Sequence, residues 1–137
     1  MKKPYRYLDH TADLGIEVLG KNLNALFVNI GKAIFETQIE GKVIARKERS
    51  INLESETLED LFIDWCRELL YDFSVSNFIP CEYNISVNGL SLHAMLRGDE
   101  FDTSRHQIKF EIKNPTYHKL SIKKQNSSYR ARIIFDV

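Results

Sequence analysis

An α+β fold in one two-layer domain, with a mostly antiparallel sheet and two main helices, follows from three features of the 137-residue chain. Two segments space their apolar residues at helical intervals, several others alternate apolar with polar, and an Asn-Gly pair joins two of the alternating runs. At 16.0 kDa, residues 1–137 make one domain's worth of chain. A chain of this size hides roughly two thirds of its unfolded surface, enough for a core without staples.

Leu14, Ile16 and Val18 alternate with Gly15 and Glu17, which predicts a half-buried strand over 14–19 closed by Gly20. Asn22 precedes Leu23, Leu26, Phe27, Ile30, Ala33 and Ile34, which fall on one helical face, so Asn22 reads as the N-cap and Gly41 as the C-terminal stop. Residues 43–53 read as extended. Thr57 opens a second helix, with Asp60 completing a weak capping box. Leu58, Leu61, Phe62, Trp65, Cys66, Leu69, Leu70 and Phe73 give that helix a wide apolar stripe, which needs a cover. Tyr83, Ile85 and Val87, then Asn88-Gly89, then Leu90, Leu92, Ala94 and Leu96 spell a hairpin. Gly98 to His106 is polar and reads as a loop. Ile108, Phe110 and Ile112 predict a further strand, Leu120 and Ile122 another, and Tyr129, Ala131, Ile133 and Phe135 the last, after a turn at Asn126-Ser127-Ser128.

Nineteen basic residues balance nineteen acidic ones, so the field of the whole molecule gives no support to direct nucleic-acid binding. The distribution is uneven. Glu56, Glu59, Asp60, Asp64, Glu68 and Asp72 crowd the second helix, whereas Lys109, Lys113, Lys119, Lys123, Lys124, Arg130 and Arg132 crowd the last third. This asymmetry suits a protein or phosphate-bearing partner, and solvated faces look the same. No apolar run approaches the ~18 residues needed to cross a bilayer, and Met1-Lys2-Lys3-Pro4 leads into no apolar signal core, which predicts a soluble cytoplasmic protein without membrane contact. Cys66 and Cys81 are too few for a disulfide framework or a zinc site and read as structural thiols in a reducing compartment.

Four segments carry candidate chemistry. Asp9-His10-Thr11-Ala12-Asp13 ahead of a strand offers carboxylates to a hard cation, or ordinary turn bonding. Phe135-Asp136-Val137 brings a side-chain and an α-carboxylate together, two like charges that need a divalent cation or a Lys or Arg beside them. In Lys113 to His118, His118 offers an imidazole and Lys113 suits a phosphate or carboxylate; alternatively the segment is a turn fixed by Pro115, with Tyr117 packed on the core. Gly98-Asp99-Glu100-Phe101-Asp102 lacks EF-hand spacing and reads as a solvated loop. GxxxxGK[ST], HExxH, GxSxG and GxGxxG are all absent, which removes motif support for P-loop hydrolysis, zincin proteolysis, α/β-hydrolase chemistry and dinucleotide binding.

Taken together, Tyr7-Leu8-Asp9-His10-Thr11-Ala12-Asp13-Leu14-Gly15-Ile16, Asp64-Trp65-Cys66-Arg67-Glu68-Leu69-Leu70, Gly98 to Asp102 with Arg105-His106, Lys113 to His118, and the ending Ala131 to Val137 resemble the archease family over essentially the whole chain. The resemblance implies an accessory protein, not an enzyme. Its partner is the GTP-dependent RNA ligase that joins 3′-phosphate ends to 5′-hydroxyl ends in tRNA splicing and RNA repair. The implied role is to promote guanylylation of a histidine on the ligase and its multiple turnover, and the balanced net charge points to RNA being reached only indirectly. It further implies a divalent-metal site, calcium above all, built from Asp13, Asp136 and Val137, with His10 and Lys113 as partner or phosphate contacts. Asn114-Pro115 departs from the family pattern, since Pro115 removes a backbone donor and favours a sheet edge or bulge. The rival readings are a metal-assisted phosphohydrolase using His10 or His118 as acid or base, and a chaperone-like binding module.

Overall fold

The computed structural model describes residues 3–8 and 13–137. Along the chain run β1 (Tyr5–Leu8), β2 (Leu14–Gly20), α1 (Leu23–Gln38), β3 (Ile39–Glu40), β4 (Lys47–Glu54), α2 (Leu58–Ser76), β5 (Phe78–Asn88), β6 (Ser91–Glu100), β7 (Gln107–Ile108), β8 (Asn114–Gln125) and β9 (Ser128–Asp136). All the strand pairings are antiparallel. They form a four-stranded sheet in the order β1-β2-β9-β8, a three-stranded sheet β4-β6-β5, and the short pair β3-β7.

Both helices start where their capping residues predict. The Asn22 side chain accepts from the Ala25 N–H at 2.8 Å, and the Thr57 hydroxyl accepts from the Asp60 N–H at 3.0 Å. Their apolar faces meet: Phe27 and Phe62 stack edge to face at 5.3 Å, and the Trp65 indole N–H donates to the Phe27 carbonyl at 2.9 Å. That bond satisfies the polar atom of the largest core side chain and ties α2 to α1. Ile16, Val18, Ala131, Ile133 and Phe135 supply the inner face of the four-stranded sheet, and Leu92, Ala94 and Leu96 that of the three-stranded one. Cys66 is buried and unpaired in this core, as its place on the stripe predicts.

Several expectations are corrected. Gly41 does not stop α1, which ends at Gln38 and passes straight into β3. The glycine is needed for another reason: its φ is +115°, and a Cβ there would meet the Arg105 carbonyl oxygen at 2.2 Å. Gly98 to His106 is not a free loop, because β6 continues through Glu100 and Asp99 is wholly buried. The 108–112 strand shrinks to β7, and Phe110 is exposed. Lys113 to His118 is no turn either: β8 begins at Asn114, and Tyr117 lies on the surface. In the β5–β6 hairpin the loop residues are Gly89 and Leu90, with Asn88 still paired to Ser91. β1 carries no signal strong enough to predict it, being four residues at a sheet edge. β8 is the other edge, so Pro115 occupies one of the few sheet positions that tolerate a missing donor.

Candidate functional site

The two ends of the chain meet through the β2–β9 ladder. Leu14 lies opposite Phe135, and Ile16 opposite Ile133. Asp13 immediately precedes Leu14 and Asp136 immediately follows Phe135, so the two acids flank the last registered pair of this ladder. β8 closes on the other side of β9: Asn114 is the partner of Asp136, and the Lys113 N–H donates to the Asp136 carbonyl at 2.9 Å. Asp136, Val137 and Lys113 are exposed, and Asp13 is half-buried. Four of the predicted residues, drawn from three segments, thus lie toward one end of one sheet. His10, with Asp9, lies outside the described residues.

Among the described residues no group of three His, Cys, Asp or Glu side chains gathers at metal-binding spacing. Asp13 and Asp136 offer two side-chain carboxylates, and the third oxygen donor in the predicted set is the α-carboxylate of Val137. An all-oxygen, anionic set suits a hard cation and does not suit zinc or copper. Beside this end, Tyr7, Leu14, Thr37, Lys109 and Phe110 line an open and largely apolar groove, with the Tyr7 hydroxyl 2.8 Å from that of Thr37.

The second cluster was hidden in the segment that reads as a solvated loop. Asp99 accepts from Arg105 Nη1 at 2.7 Å and Nη2 at 3.1 Å, from Arg46 Nη2 at 2.7 Å, and from the N–H groups of Ile44 at 3.0 Å and Glu100 at 2.8 Å. The Arg105 bonds are the main reason its carboxyl is held far below the ordinary carboxylate range, against the opposing effect of burial. His106 packs alongside. Its Nδ1 accepts the Asp102 N–H at 3.0 Å, which leaves the ring proton on Nε2 to donate to the Lys42 carbonyl at 2.8 Å. These bonds tie the β6–β7 connection to residues 42–46 and give Asp99, Arg105 and His106 an architectural role. The only hint in the sequence is an acid followed at six and seven residues by Arg and His, which does not separate a buried clamp from a surface loop.

Tyr117 takes neither predicted role. Its hydroxyl donates to Asp60 on α2 at 2.5 Å, and that bond raises the phenol to about 12. His118 is exposed in the irregular part of β8, between Thr116 and Ser121, where the ladder to β9 breaks register. It stands apart from the Asp13 end in sheet register. Neither residue forms a nucleophile–base pair among the described residues.

The family model described as "Archease protein family (MTH1598/TM1083)" matches residues 5–137. The chain belongs to the archease family. The protein archease of Methanosarcina barkeri is 36% identical over 141 residues, an alignment covering 98% of this chain and 97% of that one. The archease of Sulfurisphaera tokodaii is 31% identical, with 97% and 98% covered. Among solved structures, the solution structure of Methanobacterium thermoautotrophicum protein 1598 superposes with a TM-score of 0.83 at 27% identity, covering 99% of this chain and all 100% of that one. The Thermotoga maritima crystal structure, described as an archease and possible chaperone, has a TM-score of 0.66 at 24% identity, covers 100% of this chain and 98% of that one, and attests the fold alone. As an archease, the chain has the predicted α+β architecture, and no helix among its described residues is long and apolar enough to cross a membrane.

Proposed function

We propose that this archease is an accessory protein of the GTP-dependent RNA ligase that seals 3′-phosphate ends in tRNA splicing and RNA repair, acting from a divalent-cation site at the Asp13–Asp136 end of the four-stranded sheet. The observation that supports this reading is the β2–β9 register, in which Leu14, next to Asp13, stands opposite Phe135, next to Asp136. In this reading the Asp13 and Asp136 carboxylates and the Val137 α-carboxylate are the oxygen donors, and a divalent cation neutralises their combined charge. Calcium fits the oxygen donors best. When bound, such an ion supplies a concentrated positive charge that attracts phosphate oxygens. The chain's own residues do the positioning: the Lys113 N–H fixes the Asp136 main chain, and the Lys113 ammonium offers a point charge for a phosphate on the partner. The contribution to ligation is orientation and electrostatics at a neighbouring active site, and the covalent chemistry stays with the ligase.

The test is GTP-dependent guanylylation of the ligase, with and without this protein, in the presence of a divalent metal. Native protein is expected to stimulate it, and Asp13→Ala or Asp136→Ala to remove most of the stimulation while both variants stay folded. Residues appended after Val137 should also weaken it by displacing the α-carboxylate. Unchanged guanylylation with the native protein would defeat the reading. Metal-dependent turnover of a generic phosphate ester by the protein alone would favour the phosphohydrolase instead. Protection of unrelated clients from aggregation, with no effect on guanylylation, would favour the chaperone-like module.

A further inference from the structure

The outer face of the four-stranded sheet, away from the helices, carries a set of cations that the ion pairs of the described residues use only in part. Arg6 on β1 and Arg132 on β9 both bind Glu17 on the strand between them, each through Nε at 2.7 Å. Glu17 is buried beneath them, and its carboxyl is held down mainly by the Arg6 bond. The pairing holds both guanidinium groups to Glu17 on β2 through Nε alone. The Nη groups of both meet no acceptor among the described residues, and the side chains are 64% and 47% exposed. One rung further along the same face, Lys123 on β8 stands directly opposite Arg130 on β9. Neither forms an ion pair or a side-chain hydrogen bond among the described residues. Like charges placed opposite one another in an antiparallel pair destabilise the sheet, and no acid among the described residues pairs with either. Leu19, half exposed, completes this rung on the other side of Arg130.

We propose that this face docks the phosphodiester backbone of a nucleic-acid duplex. Four cations against one carboxylate leave the patch net positive within a molecule of zero net charge. The patch extends over four strands, about 14 Å at strand spacing, and over two rungs, about 7 Å along the strands. That width reaches both phosphate rows bordering a groove about 6–12 Å across. Arginines with free Nη pairs match phosphate oxygens bidentately. Among the described residues, the outward positions of β1, β2, β9 and β8 in regular pairing hold no Phe, Tyr or Trp, which removes the stacking platform that single strands use and leaves backbone contact to a duplex. RNA and DNA duplexes share the chemistry that this face recognises. The inference does not depend on the cation site, and it departs from the expectation, drawn from net charge alone, that nucleic acid is reached only indirectly.

The test is fluorescence anisotropy with labelled 20-base-pair RNA and DNA duplexes in EDTA, which excludes any metal-mediated contact. Saturable binding is expected at 50 mM KCl, weakening roughly 100-fold by 200 mM if four phosphates are neutralised. Lys123→Ala/Arg130→Ala removes two of those contacts, from an exposed and a half-buried side chain that form no ion pair among the described residues, so the same salt step should cost only roughly 10-fold. Circular dichroism and melting of the variant establish that it is folded. Absence of saturable binding by either duplex at protein concentrations of about 100 µM, or a salt dependence unchanged in the variant, would overturn the proposal. So would binding of an acidic peptide in place of both duplexes, which would assign the face to a protein. Selective binding of the RNA duplex with the predicted loss in the variant would support it and add a preference for A-form geometry. Loss of ligase stimulation by Asp136→Ala with duplex binding intact separates this face from the cation site.

Discussion

Asp99 is the residue on which most of the polar interior depends. Its carboxylate is fully buried and receives bonds from two arginines and two main-chain N–H groups. Asp99→Asn keeps the shape and removes the charge, leaving Arg46 and Arg105 without their common counter-ion. It is expected to lower stability by about 3 kcal/mol at pH 7, measured by urea unfolding. The pH dependence has a defined sign. Because the folded carboxyl lies below its ordinary value of 3.8, the stabilisation is complete above that pH and is lost only as pH falls through the lower folded value. The difference between the native protein and D99N should therefore persist at pH 4.5 and begin to shrink only below about 3.8. A gap that closes between pH 7 and 5 would assign the stabilisation to another group.

At the scale of elements, the helices were legible because their signals are local. Asn22 and Thr57 each bond a main-chain N–H three residues on, and the apolar stripes between the caps need only the helical period to be seen. The β5–β6 hairpin and β9 were legible for the same reason, with alternation over several residues next to a turn signal. What failed depends on the rest of the fold. β6 runs through Gly98-Asp99 because Gly98 lets the Ile79 carbonyl come within 2.1 Å of where a Cβ would sit. Ile108-Lys109-Phe110 alternates like a strand yet has only Ile39–Glu40 to pair with. Gly41 shows how the same residue type yields two readings, a helix stop by its place in the sequence and a close approach by its surroundings. Thr57→Ala should cost about 1 kcal/mol, the value of an N-cap. Gly41→Ala should cost more, on the order of 2–3 kcal/mol, since it adds a left-handed backbone penalty to a clash with a carbonyl. Thermal melts of the two variants give the ranking, and an equal or smaller effect at Gly41 would mean that the 41–46 segment moves away from Arg105 at little cost.

For the whole molecule, the candidate cation site is a property of topology and not of any one segment. The residues level with each other at the end of β2 and β9 come from opposite ends of the chain, and no local pattern connects them. Only their resemblance to a known family joined them in advance, and the sheet order β1-β2-β9-β8 then accounts for how they come together. Such a site should report itself in the stability of the whole fold. A ligand that binds only the native state stabilises it by about 2.7 kcal/mol at 100 times its dissociation constant, and for 137 residues that raises the melting temperature by roughly 9 °C. Calcium is expected to produce that shift in the native protein and none in Asp136→Asn. Since Asp136 is exposed, the substitution itself should move the metal-free melting temperature by no more than about 2 °C. Addition of potassium chloride at matched ionic strength separates binding from screening, because screening acts on both proteins alike. A calcium shift retained in Asp136→Asn would place the ion elsewhere on the molecule, and the absence of any shift in the native protein would remove the site.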